Sequence, residues 1–399
     1  MNALEGIKVI SFNHFLMGPA GMQILGDLGA DVIAVEPVGG SFQRQWSGAN
    51  RKVDGESLLF LCANRNKRSM ALDLKSERGL EIARKLVMGA DVVAENFRPG
   101  VMDRLGLGYE AIKAENPGVV YASASGYGPG GPYVDRPGQD MLIQGLSGLA
   151  AVTGDYEDGA RPVGVSAVDH HGAMILAMSI LAALLNRGRT GEGCRVDVNL
   201  LSSAIDLQME SLTCFLNGPR PESTRHPKRS GGWMFPAPYG AYATADGHLV
   251  LSFADMPTLA EALEEPALAN FSNDETYPRR EEIIPLVEQA LRRRTTREWE
   301  EILTTHKLWH APVNDYAALE NDPQVHYLGS FEKVQGVNET PLTLVKHPAQ
   351  YNGEVPPVRL PPQPLGAQTE EVLRELGYAQ SDIDKLVSEK VVGLTADKQ

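Results

Sequence analysis

The stretch IKVISFNHFLMGPAGMQILGDLGADVIAVE, residues 7–36, decides the fold class. A run rich in β-branched residues is followed by a glycine–proline pair, a helical pattern and a second β-branched run that ends at Glu36. Two strands joined by a crossover helix form a βαβ unit, in which the strands lie parallel in one sheet. The stretch therefore predicts an α/β protein.

Similar units follow along the first half of the chain. Strand patterns occupy residues 69–72, 91–95 and 118–125, with helical patterns between them, and a further strand is expected at 195–201. Strands that alternate with crossover helices predict a parallel sheet with helices on both faces. Ligands of such sheets bind beyond the carboxyl ends of the strands.

The composition limits the class of protein. A chain of 399 residues, 43% hydrophobic and 22% charged, is typical of a soluble globular protein of two or three domains. Its net charge is −14 and its isoelectric point is about 5.2. Nucleic-acid phosphates would be repelled by this charge, so we expect no nucleic-acid partner.

Three further features bear on the compartment. The start, MNALEGIKVISF, has neither a basic segment nor a small-residue cleavage site and does not resemble a signal peptide. The longest nearly apolar run, Ala173–Leu185, is shorter than the roughly 20 residues that span a bilayer, so we expect a buried helix and no membrane partner. Cys62, Cys194 and Cys214 are scattered and odd in number, which favours a reducing, cytoplasmic location.

The first βαβ unit raises the question of a nicotinamide cofactor, because Glu36 ends the second strand where a ribose-binding acid would lie. The spacing of Gly18, Gly21 and Gly26 is G-x-x-G-x-x-x-x-G, and the dinucleotide fingerprint is G-x-G-x-x-G. The sequence therefore argues against a dinucleotide-dependent oxidoreductase.

Basic residues are concentrated near predicted strand ends of this acidic chain. The segment NRNKRS, residues 64–69, contains three cations, and Lys75, Arg98 and Arg104 follow later strands. Clustered Lys and Arg suit a polyanionic small molecule, because charge-assisted contacts to phosphate are short and strong. A solvated surface with scattered ion pairs is the alternative interpretation.

Asp169 directly precedes the long apolar run, in SAVDHHGAMILAMSILAALL, residues 166–185. Aspartate is a preferred N-cap, so its role could be to hold the first N–H groups of a helix. An ionised carboxylate is also a competent nucleophile toward a thioester. A metal site with His170 and His171 is the weakest interpretation, because adjacent helical side chains diverge by about 100°.

Taken together, these segments resemble the class III CoA-transferases, the CaiB/BaiF family, which also includes formyl-CoA transferases and α-methylacyl-CoA racemases. The resemblance extends over almost the whole chain and is densest in LEGIKVISF, GPAGMQILGDLGADVIAVEP, NRNKRSMALDLKSERG, ADVVAENFRPGVMDRLGLGYE, SASGYGPGGPY, DHHGAM and PLGAQTEEVLRELGY. The number of segments in the same order makes the resemblance specific.

The resemblance implies a Rossmann-like large domain with a parallel sheet, a smaller α+β domain and an interlocked homodimer. On this basis we assign residues 1–215 to the N-terminal, CoA-binding part of the large domain and 216–229 to a linker. Residues 230–330 form the expected small domain. Residues 331–399 are expected to form a Pro-rich crossing segment and C-terminal helices that return to the large domain.

The resemblance also implies a reaction and its site. Asp169 matches the aspartate that attacks an acyl-CoA thioester, and the implied partners are an acyl-CoA donor and a carboxylic acid acceptor. No metal and no covalently bound cofactor is implied, since CoA itself is a substrate. Gln139 and Asp140 match the segment that lines the acyl site. Matching positions assigned to CoA binding are Leu16, Met17, Leu72, Lys75, Asn96, Phe97, Arg98 and Arg104.

Departures from the formyl-CoA transferase branch concern the acyl site. Leu16 replaces a glutamine, Pro37 an arginine and Pro137 a lysine, and the tetraglycine loop is reduced to Ser230-Gly231-Gly232. Formyl-CoA and oxalate are therefore poor candidates as substrates. Residues 15–17 predict a more apolar acyl pocket. The alternative is a dicarboxylic acyl group, whose second carboxylate would pair with Arg98 or with the basic residues of the loop after Gly218.

Two alternatives remain. A racemase or epimerase of the same fold would act at the α-carbon of an acyl-CoA, but its catalytic histidine is Gln139 here, and glutamine is no general base near neutral pH. His170 and His171 keep this alternative open. The other alternative is a non-catalytic acyl-CoA-binding protein.

Overall fold

The computed structural model describes residues 2–53, 55–218, 220–336 and 339–395. The chain forms two compact units. The first unit consists of Met1–Ile143, Ser166–Leu207 and His326–Gln399, and the second of Gln144–Val165 and Gln208–Val325. Both ends of the chain thus belong to the first unit.

The strands of the described residues are, in chain order, β1 (Lys8–Phe12), β2 (Asp31–Glu36), β3 (Lys52–Val53), β4 (Glu56–Ser57), β5 (Lys67–Leu72), β6 (Val92–Glu95), β7 (Val120–Ser125), β8 (Cys194–Asn199), β9 (Gly240–Ala243), β10 (His248–Leu251), β11 (His310–Pro312), β12 (Phe331–Gln335), β13 (Pro341–Val345) and β14 (Val392–Gly393).

The α-helices of the described residues are α1 (Met17–Asp27), α2 (Phe42–Gln45), α3 (Leu58–Leu61), α4 (Glu77–Met88), α5 (Val101–Arg104), α6 (Tyr109–Glu115), α7 (Asp140–Leu146), α8 (Leu149–Val152), α9 (Ala167–Thr190), α10 (Leu200–Leu207), α11 (Met209–Asn217), α12 (Met256–Ala262), α13 (Arg280–Leu291), α14 (Thr296–Thr305), α15 (Tyr316–Glu320), α16 (Pro323–Leu328), α17 (Thr369–Glu375) and α18 (Gln380–Ser388). Short 3₁₀ turns lie at Gly48–Asn50, Pro266–Asn270 and Asn273–Glu275.

A seven-stranded sheet forms the centre of the first unit, in the order β14-β5-β2-β1-β6-β7-β8. All neighbours are parallel except β14, which is antiparallel to β5. The expected α/β fold with a large parallel sheet is confirmed. The order of the strands reverses direction between β1 and β6, and such a switch point is where open α/β sheets bind ligands.

The central strands are mostly apolar, as expected where helices cover both faces of a sheet. Val9 and Ile10 of β1 and Val92 and Val93 of β6 are completely buried. Residues of α4, α17 and α18 pack in the same core. The carboxyl edge of this rigid sheet is therefore a fixed platform for side chains that follow each strand.

The second unit contains an antiparallel sheet in the order β11-β10-β9. Its core forms where this sheet meets α12, α13 and α14, and Tyr242 and Trp299 are almost completely buried there. The indole N–H of Trp299 donates to the Leu291 carbonyl oxygen at 2.7 Å, so this buried polar group is satisfied.

Helix α9 differs from the expected buried helix over Ala173–Leu185. It extends over 24 residues to Thr190 and is followed by Gly191, whose φ of 77° is the left-handed conformation found at many helix ends. By length and composition alone, this helix is apolar enough to cross a bilayer, but core helices of soluble proteins meet the same criterion. Of its most apolar 18-residue segment, 39% is buried. Met174 and Met178 are more than half exposed, so only one side of the helix is core.

Candidate active site

One side chain links the two segments that leave the sheet at the switch point. The Asn96 amide Nδ2 donates to the His14 carbonyl oxygen at 2.7 Å, and its Oδ1 accepts from the His14 N–H at 2.8 Å. Asn96 follows β6 and His14 follows β1, so this double hydrogen bond joins the two strand ends at the crevice. The segments 15–17 and 96–98, both predicted to bind CoA or its acyl group, therefore follow strand ends that this bond joins.

Helix α9 reaches this crevice by packing on α1, and two glycines permit the contact. A Cβ at Gly172 of α9 would lie 3.0 Å from the Met17 Cε, and one at Gly21 of α1 would lie 3.2 Å from the Ala173 carbonyl oxygen. Asp169 precedes Gly172 by one helical turn and is on the same face of α9. The α1–α9 packing thus places Asp169 toward the start of α1, which follows β1.

Asp169 does not cap its own helix. Helix α9 begins at Ala167, and Ser166 at the N-cap position makes no side-chain cap. The Asp140 Oδ2 instead accepts from the N–H groups of Val168 at 2.8 Å and Asp169 at 3.0 Å. The capping interpretation of Asp169 is therefore wrong: an acid at the start of α7 does this work, and the Asp169 carboxyl makes no hydrogen bond or ion pair within the described residues.

The surroundings of Asp169 change its acidity. Burial raises the pKa of the Asp169 carboxyl, and the like charge of Asp140 raises it further, to about 7. The N-terminal turn of α9 favours the charged form, but burial dominates. At neutral pH the carboxyl is thus partly ionised and poorly solvated, and such a group is suited to nucleophilic attack.

The two histidines after Asp169 have separate surroundings. His171 Nε2 lies 2.7 Å from Asp206 Oδ2 of α10, whereas His170 is exposed. Across the part of the chain that the structure describes, no three His, Cys, Asp or Glu side chains are grouped as metal ligands would be. The side chains around Asp169 therefore do not form a metal-binding set.

The basic residues divide into two groups. Lys75, Arg98 and Arg104 are exposed, and none of them has an acidic partner within ion-pair distance among the described residues. They follow the carboxyl ends of β5 and β6, on the edge where ligands of parallel sheets bind. These three cations remain available for an anionic ligand.

The cations of segment 64–69 belong to the fold instead. They lie at the amino end of β5, away from the ligand edge. Arg65 forms a buried bidentate pair with Asp27 at 2.6 and 2.9 Å, and Arg68 pairs with Asp31 at 2.6 Å. The Lys67 Nζ is buried and donates to the carbonyl oxygens of Pro19 and Ala63, and burial lowers its pKa to about 7. The interpretation of this segment as part of a polyanion site is wrong.

Glu36 is occupied in the same way. Its carboxylate accepts from Arg44 Nε at 2.7 Å and Nη2 at 2.6 Å, and both side chains are buried. The Arg44 guanidinium also lies 3.7 Å from the centre of the Phe60 ring. A carboxylate enclosed by these contacts cannot accept hydrogen bonds from a ribose, in agreement with the argument against a dinucleotide.

The other predicted residues differ in what they can present to a ligand. The Leu72 side chain is 1% exposed and belongs to the core, so only its backbone is available. Leu16 and Met17 are also buried, whereas Asn96 and Phe97 are partly exposed. Gln139 is exposed directly before α7.

A row of aromatic rings crosses the carboxyl ends of β6, β1 and β2. Phe97 stacks on His14 with ring centres 5.6 Å apart, His14 contacts Phe15 at 4.9 Å, and Phe15 contacts Phe42 at 5.4 Å. Phe42 stacks on Trp46 at 6.2 Å, and both are about half exposed. Sequence reasoning found Phe15 and Phe97 but missed the other rings; the available signal was an aromatic residue soon after each of the three strands.

Comparisons with known proteins identify the family. The sequence matches CoA-transferase family III over residues 4–369. It is 32% identical to the mouse (Mus musculus) succinyl-CoA:glutarate CoA-transferase, covering 98% of this chain and 91% of that protein. It is 31% identical to the succinate–glutarate CoA-transferase of Agrobacterium fabrum, covering 94% and 95%. The crystal structure of a CaiB/BaiF family protein from Brucella suis superimposes with a TM-score of 0.82 at 30% identity, covering 94% of this chain and 100% of that one.

Proposed function

The chain belongs to CoA-transferase family III and is an enzyme that transfers CoA, and from this premise we propose that it moves CoA from an acyl-CoA to a carboxylic acid through covalent intermediates on Asp169. The observation that supports this role is the unengaged, partly buried Asp169 carboxyl beside the switch point, with Asp140 acting as the helix cap in its place.

The proposed reaction needs no net proton transfer. The Asp169 carboxylate attacks the thioester carbonyl. The C–S bond breaks, CoA thiolate is released, and the acyl group forms a mixed anhydride with Asp169. The thiolate then attacks the Asp169 carbonyl, which releases the donor acid and forms an aspartyl-CoA thioester. The acceptor carboxylate displaces CoA to form a second anhydride. Finally, the thiolate attacks the acceptor's carbonyl, which yields the new acyl-CoA and restores Asp169.

CoA itself is proposed to lie across the carboxyl ends of β5 and β6. Lys75, Arg98 and Arg104 would bind its phosphates, because they are exposed cations of an acidic chain and have no acidic partner within the part that the structure describes. The backbone at Leu72 and the segment at Asn96 would hold the adenosine part. CoA is here a substrate, and the proposal includes no metal or bound cofactor.

Removal of a phosphate-binding cation should weaken CoA binding without changing the chemistry. Arg98→Ala and Arg104→Ala are each expected to raise the KM for acyl-CoA by about ten- to a hundredfold, since a charge-assisted hydrogen bond contributes ~1.5–3 kcal/mol. The kcat should change less than twofold. Steady-state kinetics measures both values, and Arg84→Ala is the matched control, because Arg84 forms an exposed pair with Glu115 at 3.1 Å. Unchanged KM values in both variants would place the phosphates elsewhere.

The acyl pocket is proposed to be apolar. Leu16 directly precedes Met17, which packs on Gly172 of α9, and the aromatic row extends from Phe15 to the half-exposed Phe42 and Trp46. Gln139 and Asp140 are proposed to line the other side. Rings and aliphatic side chains favour flat or apolar acyl groups, whereas the two relatives above are named for succinate and glutarate. Both classes of acyl group therefore belong in a substrate test.

An interlocked homodimer is proposed as the working form. The first unit exposes large apolar side chains on α7, α9 and α10, and monomeric proteins rarely leave so many uncovered. These side chains are Met141, Leu142, Met174, Met178, Leu185, Ile205 and Leu207. The division into a large CoA-binding domain (1–215 and 331–399), a linker (216–229) and a small domain (230–330), and the cytoplasmic location, belong to the same proposal.

The racemase alternative needs a general base at the acyl α-carbon. Gln139 supplies none, so the base would have to be a histidine: His170, His171, whose Nε2 lies 2.7 Å from Asp206 Oδ2, or His14 at the switch point. A non-catalytic acyl-CoA-binding protein is set aside because the family consists of enzymes.

One experiment separates transferase from racemase. The enzyme is incubated in heavy water with apolar, aromatic and dicarboxylic acyl-CoAs, treated with hydroxylamine, and digested for mass spectrometry. A hydroxamate on the Asp169 peptide is the expected result, because hydroxylamine attacks anhydrides and thioesters, and the donors that react define the acyl class. Deuterium at the acyl α-carbon without an adduct would instead identify a racemase.

A further inference from the structure

Glu95 is a buried carboxyl that the proposed reaction does not use. It is the last residue of β6, directly before the switch-point residue Asn96, and it is 6% exposed. Its Oε2 accepts from the Phe97 N–H at 2.8 Å, and its Oε1 accepts from the Ser123 hydroxyl of β7. The carboxyl thus closes a small ring over the turn that leads from the sheet to Arg98.

The groups around Glu95 do not neutralise it. The charges of Arg195 and Asp197 of β8 shift the pKa of Glu95 in opposite directions, and the Arg195 guanidinium is hydrogen-bonded to Asp197 at 2.9 Å. Tyr121 of β7 is a further titratable neighbour, and the negative charges of Glu95 and Asp103 raise its pKa. Burial consequently raises the pKa of Glu95 to about 7. A buried carboxyl without a neutralising cation is costly, and here its hydrogen bonds to the Phe97 N–H and the Ser123 hydroxyl offset part of that cost.

The contacts of Glu95 converge on the CoA segment. Glu95 fixes the Phe97 N–H, and Asn96 lies between these two residues. The orientation of Asn96 toward His14 therefore depends on the same turn. Arg98 follows without a fixed partner, so the direction in which it leaves the sheet is set by the residues before it.

We propose that Glu95 is a positioning residue for CoA binding: its carboxyl holds the Asn96–Arg98 turn in the conformation that binds CoA. This inference rests on the proposed binding of CoA at this turn. It predicts that loss of the acceptor for Phe97 weakens binding of CoA, and that chemistry on Asp169 is unaffected once CoA is bound.

The test uses the full-length enzyme with Glu95→Ala, Glu95→Gln and Glu95→Asp. Glutamine can still accept from the Phe97 N–H and can donate to the Ser123 hydroxyl, whereas aspartate is one methylene too short. We expect Glu95→Ala to raise the Kd for CoA, measured by calorimetry, and the KM for acyl-CoA about tenfold, with kcat within twofold. Glu95→Gln should restore both constants to within about threefold of the wild type, and Glu95→Asp should not.

The matched control is Glu110→Ala, which removes an exposed carboxylate from the first turn of α6. Normal Kd and KM values in Glu95→Ala would overturn the inference. So would a fall in kcat as large as the rise in KM, if Glu95→Gln does not reverse it. If Glu95→Ala does not fold, the Gln and Asp variants decide by the same criteria. Arg98→Ala and Arg104→Ala distinguish the two proposals. If either weakens CoA binding and the Glu95 variants do not, only the role of Glu95 fails. If neither has an effect, the proposed CoA site itself fails.

Discussion

Replacement of Asp169 by asparagine should lower kcat for CoA transfer by at least about a thousandfold, as expected when a covalent nucleophile is removed. The amide has nearly the same shape as the carboxyl, but it cannot attack a thioester to form an anhydride. The variant should bind CoA at least as tightly as the wild type, because the change removes a negative charge and no cation. Transfer rates, calorimetry with CoA and the hydroxylamine adduct on the Asp169 peptide measure these three properties.

Asp206→Asn is the matched control for this variant. It makes the same chemical change on the neighbouring helix, where Asp206 is bonded to His171, and it should leave kcat within about threefold of the wild type. Asp169→Asn with wild-type turnover on a verified substrate pair would refute the nucleophile. So would a hydroxamate that maps to another residue.

The second large effect is on the pH dependence of kcat. The reactive form of Asp169 is the carboxylate, and its pKa is raised to about 7. Activity is therefore present above pH 7 and is lost as the pH falls through 7. With saturating substrates, kcat should decrease about tenfold between pH 8 and pH 6, because the ionised fraction falls from about ten elevenths to one eleventh. An aspartate with the usual pKa near 3.9 would give a flat profile over this range.

Asp140→Asn tests the cause of the raised pKa. Asparagine retains an oxygen that can accept from the N–H groups of Val168 and Asp169, but it removes the like charge. The pKa of Asp169 should fall, and the acid limb of the kcat profile should move to lower pH. The move should be partial, since burial is the larger cause. A flat wild-type profile from pH 6 to 8, or no move in the variant, would contradict this explanation.

Much of the fold is local enough to be predicted from the sequence. Periodic β-branched runs and the helical patterns between them predicted the parallel sheet, since each βαβ unit buries its own apolar faces. The resemblance to one family, noted from short segments, is confirmed by the match over residues 4–369. The absence of a dinucleotide fingerprint agrees with Glu36, which Arg44 encloses.

The division of the cations was decided by tertiary structure. The sequence alone does not distinguish Lys75 and Arg98 from Arg65, because all three are cations near predicted strand ends. In the structure, however, Arg65 pairs with Asp27, 38 residues earlier. Arg68 similarly bonds to Glu375, 307 residues later. No local pattern contains the partner of such a pair, so only the folded chain shows which cations are left for a ligand.

The same reason explains Asp169. The sequence by itself determined the parallel sheet, the family and the candidate acid. Whether that acid caps a helix or remains unengaged depended on Asp140, which is 29 residues away and reaches the α9 start only because the chain folds back. Secondary structure follows from neighbours in the chain, but the hydrogen-bond partners and the burial that set the pKa of a carboxyl come from segments distant in sequence, and only the tertiary structure brings them together.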